Sequence, residues 1–332
     1  MAEPMTYAGA AAPDATASAT AGVGITAVER DTGINKETLR VWERRYGFPA
    51  PLRDAAGERL YPADQVHRLR MVKKLLDSGH RPGRIVAASA EVLAGMLQPA
   101  VVNAAAPDGS QAAADRREVD TCLNLLRTHD IEGLRRALSQ AVLRRGLAGG
   151  VVGLFAPLTV QIGELWMSGE LQVFEEHVFS ESVQLVLRQA IQALPRGEQP
   201  QAPRVMLTTL PGEPHALGLL MAEALMSLEG AACLSLGVQT PVLQLPTAAA
   251  AFRADVVALS FSGYLSHRAV QEGLMALREQ LPAGVEIWAG GSSRALRQAI
   301  SPIGVNCLDG LLSIAPELNR WRKAQGQSAL TA

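Results

Sequence analysis

Cysteine is scarce in this chain, and so are the other residues that would suggest the simplest functional classes. The three cysteines, Cys122, Cys233 and Cys307, lie far apart with no CxxC spacing. That pattern excludes a disulfide framework and a thiolate zinc site, and it fits a reducing, cytoplasmic compartment. Aromatic residues make up only 4% of the chain, against 48% hydrophobic residues in all, so large cores have to be built mainly from aliphatic side chains. No apolar run is long and clean enough for a bilayer. The longest, from Leu147 to Ile162, is interrupted by glycines, Pro157 and Gln161, and reads as a buried bundle helix, so no membrane partner is expected. The first 22 residues lack the basic start and apolar centre of a signal peptide and read as a disordered tail (1–22). Charge of either sign is nearly balanced overall, at −1, yet residues 24–84 hold 13 Lys/Arg against 8 Asp/Glu. A basic N-terminal module on an otherwise acidic protein points to a polyanionic partner.

The 332 residues suggest two or three domains. Residues 23–86 form a first unit. "GITAVERDTG" has helical apolar spacing and closes on Gly33, while "NKETLRVWERRYG" opens on an Asn N-cap and closes on Gly47, which together predict a helix-turn-helix. "FPAPLRDAAGERLYP" predicts a two-stranded wing, and "ADQVHRLRMVKKLLDSG" a third helix with cations along one face. Residues 87–115, rich in Ala with Pro and Gly, read as a linker. Residues 116–196 carry four helical patterns with short connections, a four-helix bundle. From 203 to 326 short apolar strands ("VMLTTL", "ACLSLG", "DVVALSFSG", "EIWAGG", "VNCLDG") alternate with helices, which predicts a doubly wound, Rossmann-like parallel sheet. The fold expected is therefore multidomain α and α/β.

In the second helix Lys36, Thr38, Arg40, Arg44 and Arg45 share one side, with Tyr46 at its end, and Leu39, Val41 and Trp42 supply apolar packing. Cations and a hydroxyl so placed reach base edges and phosphates of double-stranded DNA in the major groove. Arg53, Arg59 and Tyr61 in the wing are expected to add backbone contacts. The "TLRVWERRYG" core, the wing with "GERLY" and the helix that follows resemble the DNA-binding domain of MerR-type transcriptional regulators over residues 24–86. MerR regulators usually continue into a long dimerising helix. Here an Ala/Pro segment follows, so self-association has to come from the C-terminal modules.

A second constellation sits at the strand ends. "LPGEPHALGLL" places His215 in the loop after the first strand, where ligands bind in doubly wound sheets. An imidazole there can offer one nitrogen to a metal while Glu213 accepts the other ring N–H and fixes the tautomer. Gly218 allows a bulky ligand near the helix start. Ser260 and Ser262 at the end of the third strand, and Gly290 and Gly291 at the end of the fourth, gather at the same edge and can open a slot beside a hydroxyl. The set resembles the cobalamin-binding domain of methionine synthase and corrinoid mutases, whose pattern is Asp-x-His-x-x-Gly, Ser-x-Leu and Gly-Gly. This chain has Glu for the Asp and Ser262 for the Leu. The resemblance implies that His215 replaces the cofactor's own base on cobalt and that the base enters the Ser/Gly slot.

In the bundle, Trp166 ends one helix and Glu176-His177 begins the next. The spacing Trp-x9-Glu-His, together with the domain order, resembles the cobalamin-dependent MerR-type photoreceptors of the CarH/LitR family. That resemblance implies adenosylcobalamin as the cofactor, with Trp166 and Glu176 against its adenosyl group and His177 as the second axial ligand after light cleaves the Co–C bond. It further implies a repressor without enzymatic activity, a dark homo-oligomer (dimer or tetramer) on its operator, and light-induced release. Two rivals stay open at this stage: a MerR-type regulator that senses cobalamin without light or works without it, and a corrinoid-dependent methyl carrier.

Overall fold

A computed structural model describes residues 22–77, 80–97, 109–195, 201–296 and 304–330. The expected N-terminal tail, apart from residue 22, lies outside these.

The N-terminal unit runs β1 (Val23–Gly24), α1 (Ile25–Thr32), α2 (Lys36–Tyr46), β2 (Leu52–Arg53), β3 (Arg59–Tyr61), α3 (Ala63–Asp77), α4 (Pro82–Ile85) and α5 (Ala90–Leu97). Gly33, at φ +68°, ends α1, and two residues later the Asn35 side chain caps α2 by accepting from the Thr38 N–H at 2.8 Å. The tight Gly33-to-Asn35 step makes the helix-turn-helix. Val28, Leu39, Trp42, Tyr61, Leu69 and Val72 form its core. Three expectations need correction. The wing is a three-stranded antiparallel sheet, β1-β3-β2, because the chain entry pairs with the wing's second strand. Val41 is exposed and leaves the packing to Leu39 and Trp42. The segment assigned to a linker carries α5, whose Leu93 is buried in this core, and the first turns of the helix that follows.

The bundle consists of α6 (Gly109–Arg127), α7 (Ile131–Gly150), α8 (Ala156–Met167) and α9 (Val173–Gln192). Asp130 caps α7 through the Gly133 N–H at 2.8 Å. The true break between the second and third helices is Gly146 (φ 71°, ψ 168°), beyond which a π-helical turn, Val151–Phe155, leads into α8. The stretch Ile131–Met167 is long and apolar enough by composition to cross a bilayer. Its apolar side chains, Leu147, Val151, Leu154, Phe155, Leu158 and Ile162, are instead the bundle core.

The last unit is β4 (Gln201–Thr208), α10 (Leu217–Leu228), β5 (Ala231–Ser235), α11 (Leu245–Phe252), β6 (Val256–Phe261), α12 (His267–Gln280), β7 (Glu286–Gly291), β8 (Val305–Leu308) and α13 (Ile314–Leu330). All five strands are parallel in the order β5-β4-β6-β7-β8. Strand side chains alternate between two cores. Val205, Leu207, Val256, Ala258 and Trp288 face α10, α13 and the bundle. Met206, Val257, Leu259, Ile287 and Ala289 face α11 and α12. This is the period-2 pattern of a sheet covered on both sides, as the continuous apolar strands require. The bundle and the sheet share one core through α10, so the bundle is fused to the sheet domain. The strand order reverses between β4 and β6, and the loops leaving their C-terminal ends flank that switch point.

Candidate functional site

The β4–α10 loop is held by hydroxyls. Thr209 Oγ1 donates to the Glu213 carbonyl at 2.6 Å and accepts from the Gln239 N–H at 2.8 Å, while Thr208 Oγ1 bonds Thr240 Oγ1 at 2.7 Å. Both threonines are fully buried at the end of an otherwise apolar strand. Sequence reasoning passed over them, although two hydroxyls closing "VMLTTL" were the available signal.

On this loop Glu213 is fully buried and His215 is half-exposed, with side-chain exposures of 0% and 53%. The His215 Nδ1–H donates to Glu213 Oε1 at 2.6 Å, which fixes the tautomer with Nε2 as the nitrogen able to bind a metal. Ser262 completes the arrangement, its N–H donating to Glu213 Oε2 at 2.9 Å and its Oγ lying 2.9 Å from both carboxylate oxygens and from His215 Nδ1. Burial pushes the Glu213 carboxyl up, but the His215 hydrogen bond and charge and the Ser262 donors outweigh it and hold the group below its ordinary value. The site therefore presents an ionised carboxylate behind the imidazole. Ser262, expected beside the slot, bonds within this relay. Tyr264, which the sequence reading did not single out, stands edge-on to His215 with ring centroids 5.3 Å apart.

The small residues are closely packed at this edge. A Cβ on Gly218 would sit 3.0 Å from Ser260 Oγ, and one on Gly290 would sit 3.5 Å from the Leu308 Cβ. Gly291, at φ +122°, has the Phe261 carbonyl oxygen 2.2 Å from where a Cβ would lie, so no other residue fits. Ser260 and Phe261 pair in register with Gly290 and Gly291. Among the described residues no three His, Cys, Asp or Glu side chains converge into a metal cage. A single backed, half-exposed imidazole suits a metal delivered already ligated by a macrocycle.

In the bundle, Trp166 is half-buried at the end of α8. Glu176 and His177 open α9, with His177 Nδ1 and Glu176 Oε2 2.7 Å apart and Ser180 Oγ donating to Glu176 Oε1 at 2.6 Å. The His177 side chain is 71% exposed and accessible to a ligand.

In α2, Lys36, Arg40, Arg44 and Arg45 are exposed, and Thr38 and Tyr46 are half-buried. The wing is less open than expected. Arg53 is exposed but its Nη1 donates to the Gly57 carbonyl at 2.7 Å, and Arg59 is paired with Glu43 at 2.9 Å. Tyr61 has no exposed surface and is a core residue, not a DNA contact.

Residues 24–90 match the MerR HTH family regulatory protein model, and residues 119–191 match the B12 binding domain model. The chain is 30% identical to the HTH-type transcriptional repressor CarH of Myxococcus xanthus over 270 residues, covering 81% of this chain and 88% of that protein. It is 29% identical to the HTH-type transcriptional repressor CarA of the same organism over 307 residues, covering 91% and 98%. Among solved structures, the Methanosarcina barkeri monomethylamine corrinoid protein superposes with a TM-score of 0.47 at 12% identity, covering 61% of this chain and 97% of that one.

Proposed function

The chain belongs to the MerR-type transcriptional regulators that carry a cobalamin-binding domain, and on that premise we propose that it is a DNA-binding repressor whose operator occupancy is set by adenosylcobalamin and light. The observation that carries the reading is the Glu213–His215–Ser262 relay at the switch point of the sheet. His215 Nε2 would hold the cobalt, with Glu213 keeping the ring in the donor tautomer. Ser260, Gly218, Gly290 and Gly291 border the slot for the displaced base. Trp166 and Glu176 line the opposite side, where a flat indole shields an adenosyl group and a carboxylate accepts from a ribose hydroxyl. When bound, adenosylcobalamin supplies a light-sensitive cobalt–carbon bond. His177, beside Glu176 and exposed, would offer a second imidazole to the cobalt. Dark association of several copies joins weak winged-helix contacts on one operator, so that loss of assembly means loss of DNA. The protein works in the cytoplasm, on double-stranded DNA, without catalysing a reaction.

The test is the visible spectrum of the purified chain with adenosylcobalamin, before and after green light, paired with gel shifts on its own promoter region. A light-dependent spectrum with DNA released on illumination is expected. No spectral change on illumination sinks the photoreceptor reading, and a His215→Ala protein that takes up the corrinoid normally sinks the ligand assignment.

A further inference from the structure

Lys74 of α3 faces solvent, but Arg68, Arg70 and Lys73 are half-buried against neighbouring rings. Arg70 lies over the Trp166 ring, 4.6 Å from its centroid, with Nη1 3.5 Å from the Trp166 carbonyl. One turn on, Lys73 Nζ lies 4.6 Å from the centre of the Tyr264 ring, which itself stands edge-on to His215. Residues three apart share a helix face, so one face of α3 reaches from the bundle's Trp166 to the sheet loop's Tyr264. Two further contacts fit the same docking. Gly33, at the end of α1, lies so close to Tyr264 that a Cβ would sit within contact of its hydroxyl. His67, one turn before Arg70 and Met71, packs beside Gly169 in the turn after α8, with its Nδ1 buried and without a hydrogen-bond partner among the described residues. A buried imidazole nitrogen without a partner is costly, which suits a contact made to open. Arg70 is held from behind by Asp31 at 2.7 Å.

We propose that α3 is a clasp joining Trp166 to Tyr264 and that a corrinoid held by His215 displaces it. The proposal rests on the reading that a corrinoid is ligated by His215. A macrocycle held by that imidazole would meet Tyr264, whose ring lies 5.3 Å from His215, and would compete with Lys73 for it. Occupancy of the cleft is then passed directly to the DNA-binding domain, without first requiring a change in assembly. The α2 cations stay exposed in the docked state, so the clasp fixes the domain's orientation and does not hide its recognition face.

Diethyl pyrocarbonate mapping of the full chain, read by mass spectrometry, separates the two ideas. In the cofactor-free protein His67 is expected to be protected and His177 reactive. Loading with adenosylcobalamin in the dark protects His215 and exposes His67. Arg70→Ala/Lys73→Ala exposes His67 without cofactor and takes up corrinoid about tenfold faster, the size expected for loss of two cation–π contacts. Lys73→Ala alone, which leaves the Asp31–Arg70 pair intact, gives a smaller change in the same direction. Protection of His215 with His67 and the uptake rate unchanged overturns the clasp and leaves the cofactor reading standing. No protection of His215 and no uptake by any of the proteins overturns both.

Discussion

Replacing Glu213 by Gln tests the relay most directly, because it removes a charge and keeps the shape. The carboxylate is fully buried and faces four donors: the His215 N–H at 3.2 Å, the His215 Nδ1–H at 2.6 Å, and the Ser262 N–H and O–H at 2.9 Å each. An amide offers one oxygen. If that oxygen keeps the imidazole, the NH2 is turned toward the Ser262 N–H, and one charge-assisted bond becomes a donor–donor contact. Hydrogen bonds to charged groups contribute roughly 1.5–3 kcal/mol, and a stranded buried donor costs about 1–3 kcal/mol. A loss of about 2–4 kcal/mol in the stability of the cofactor-free protein follows. The carboxyl is held below its ordinary value of 4.5 by the His215 and Ser262 donors against the opposing effect of burial. With a depressed native pKa, its contribution is present above the unfolded value and is lost only as pH falls below it, so the wild-type advantage over Glu213→Gln persists at neutral pH. Loosening a partner behind a metal-bound imidazole lowers metal affinity about 10–100-fold. Urea titrations of the cofactor-free proteins and dark titrations with adenosylcobalamin followed by absorbance measure the two effects. A variant that loses stability but binds the corrinoid with wild-type affinity would refute the reasoning, since Glu213 would then be a strut of the loop and not a tuner of His215.

Two other expectations concern sites away from the relay. Arg40 is exposed on the recognition helix, and Arg40→Ala is expected to weaken operator binding by about tenfold or more while leaving corrinoid uptake unchanged; normal binding in a gel shift rejects its place in the groove. Cys122 is 2% exposed, and burial together with Glu118 pushes its thiol from 9.0 to about 11. Between those values the unfolded chain sheds a proton that the native chain keeps, so stability falls by up to about 2–3 kcal/mol as pH rises. Denaturant melts of Cys122→Ala should lack that part of the alkaline decline, and an identical pH profile contradicts the burial argument.

The outline of the molecule was legible where local chemistry decides the outcome. Asn35 and Gly47 bound α2 because a side-chain acceptor and a left-handed glycine are what helix ends need. The five strands were found because residues such as Val256, Val257, Ala258 and Leu259 are buried on both faces and leave an unbroken apolar run. His215 was legible from its place after a strand. Other features depended on partners far along the chain. Tyr61 reads as a wing residue until β3 is seen to turn it inward beneath α2 and α3. The short apolar period around Leu93 was masked by its Ala-rich setting. The cations of α3 look like a solvated stripe, and only the docked structure shows Arg68 over Phe48, Arg70 over Trp166 and Lys73 over Tyr264.

The two departures from the corrinoid pattern, Glu for Asp at 213 and Ser for Leu at 262, are separated by 49 residues along the chain. In the structure they touch. A glutamate reaches one methylene further than an aspartate, and this one is driven to full burial, where a second oxygen without donors would carry a heavy desolvation cost. Ser262 meets that need with its O–H, 2.9 Å from both oxygens, where a leucine would leave only the backbone N–H. The same hydroxyl sits 2.9 Å from His215 Nδ1, so the longer carboxylate is kept in line with the ring it orients. The substitutions therefore compensate each other. The imidazole retains a buried anionic partner, and the means of holding that partner has moved from side-chain length to a strand-end hydroxyl.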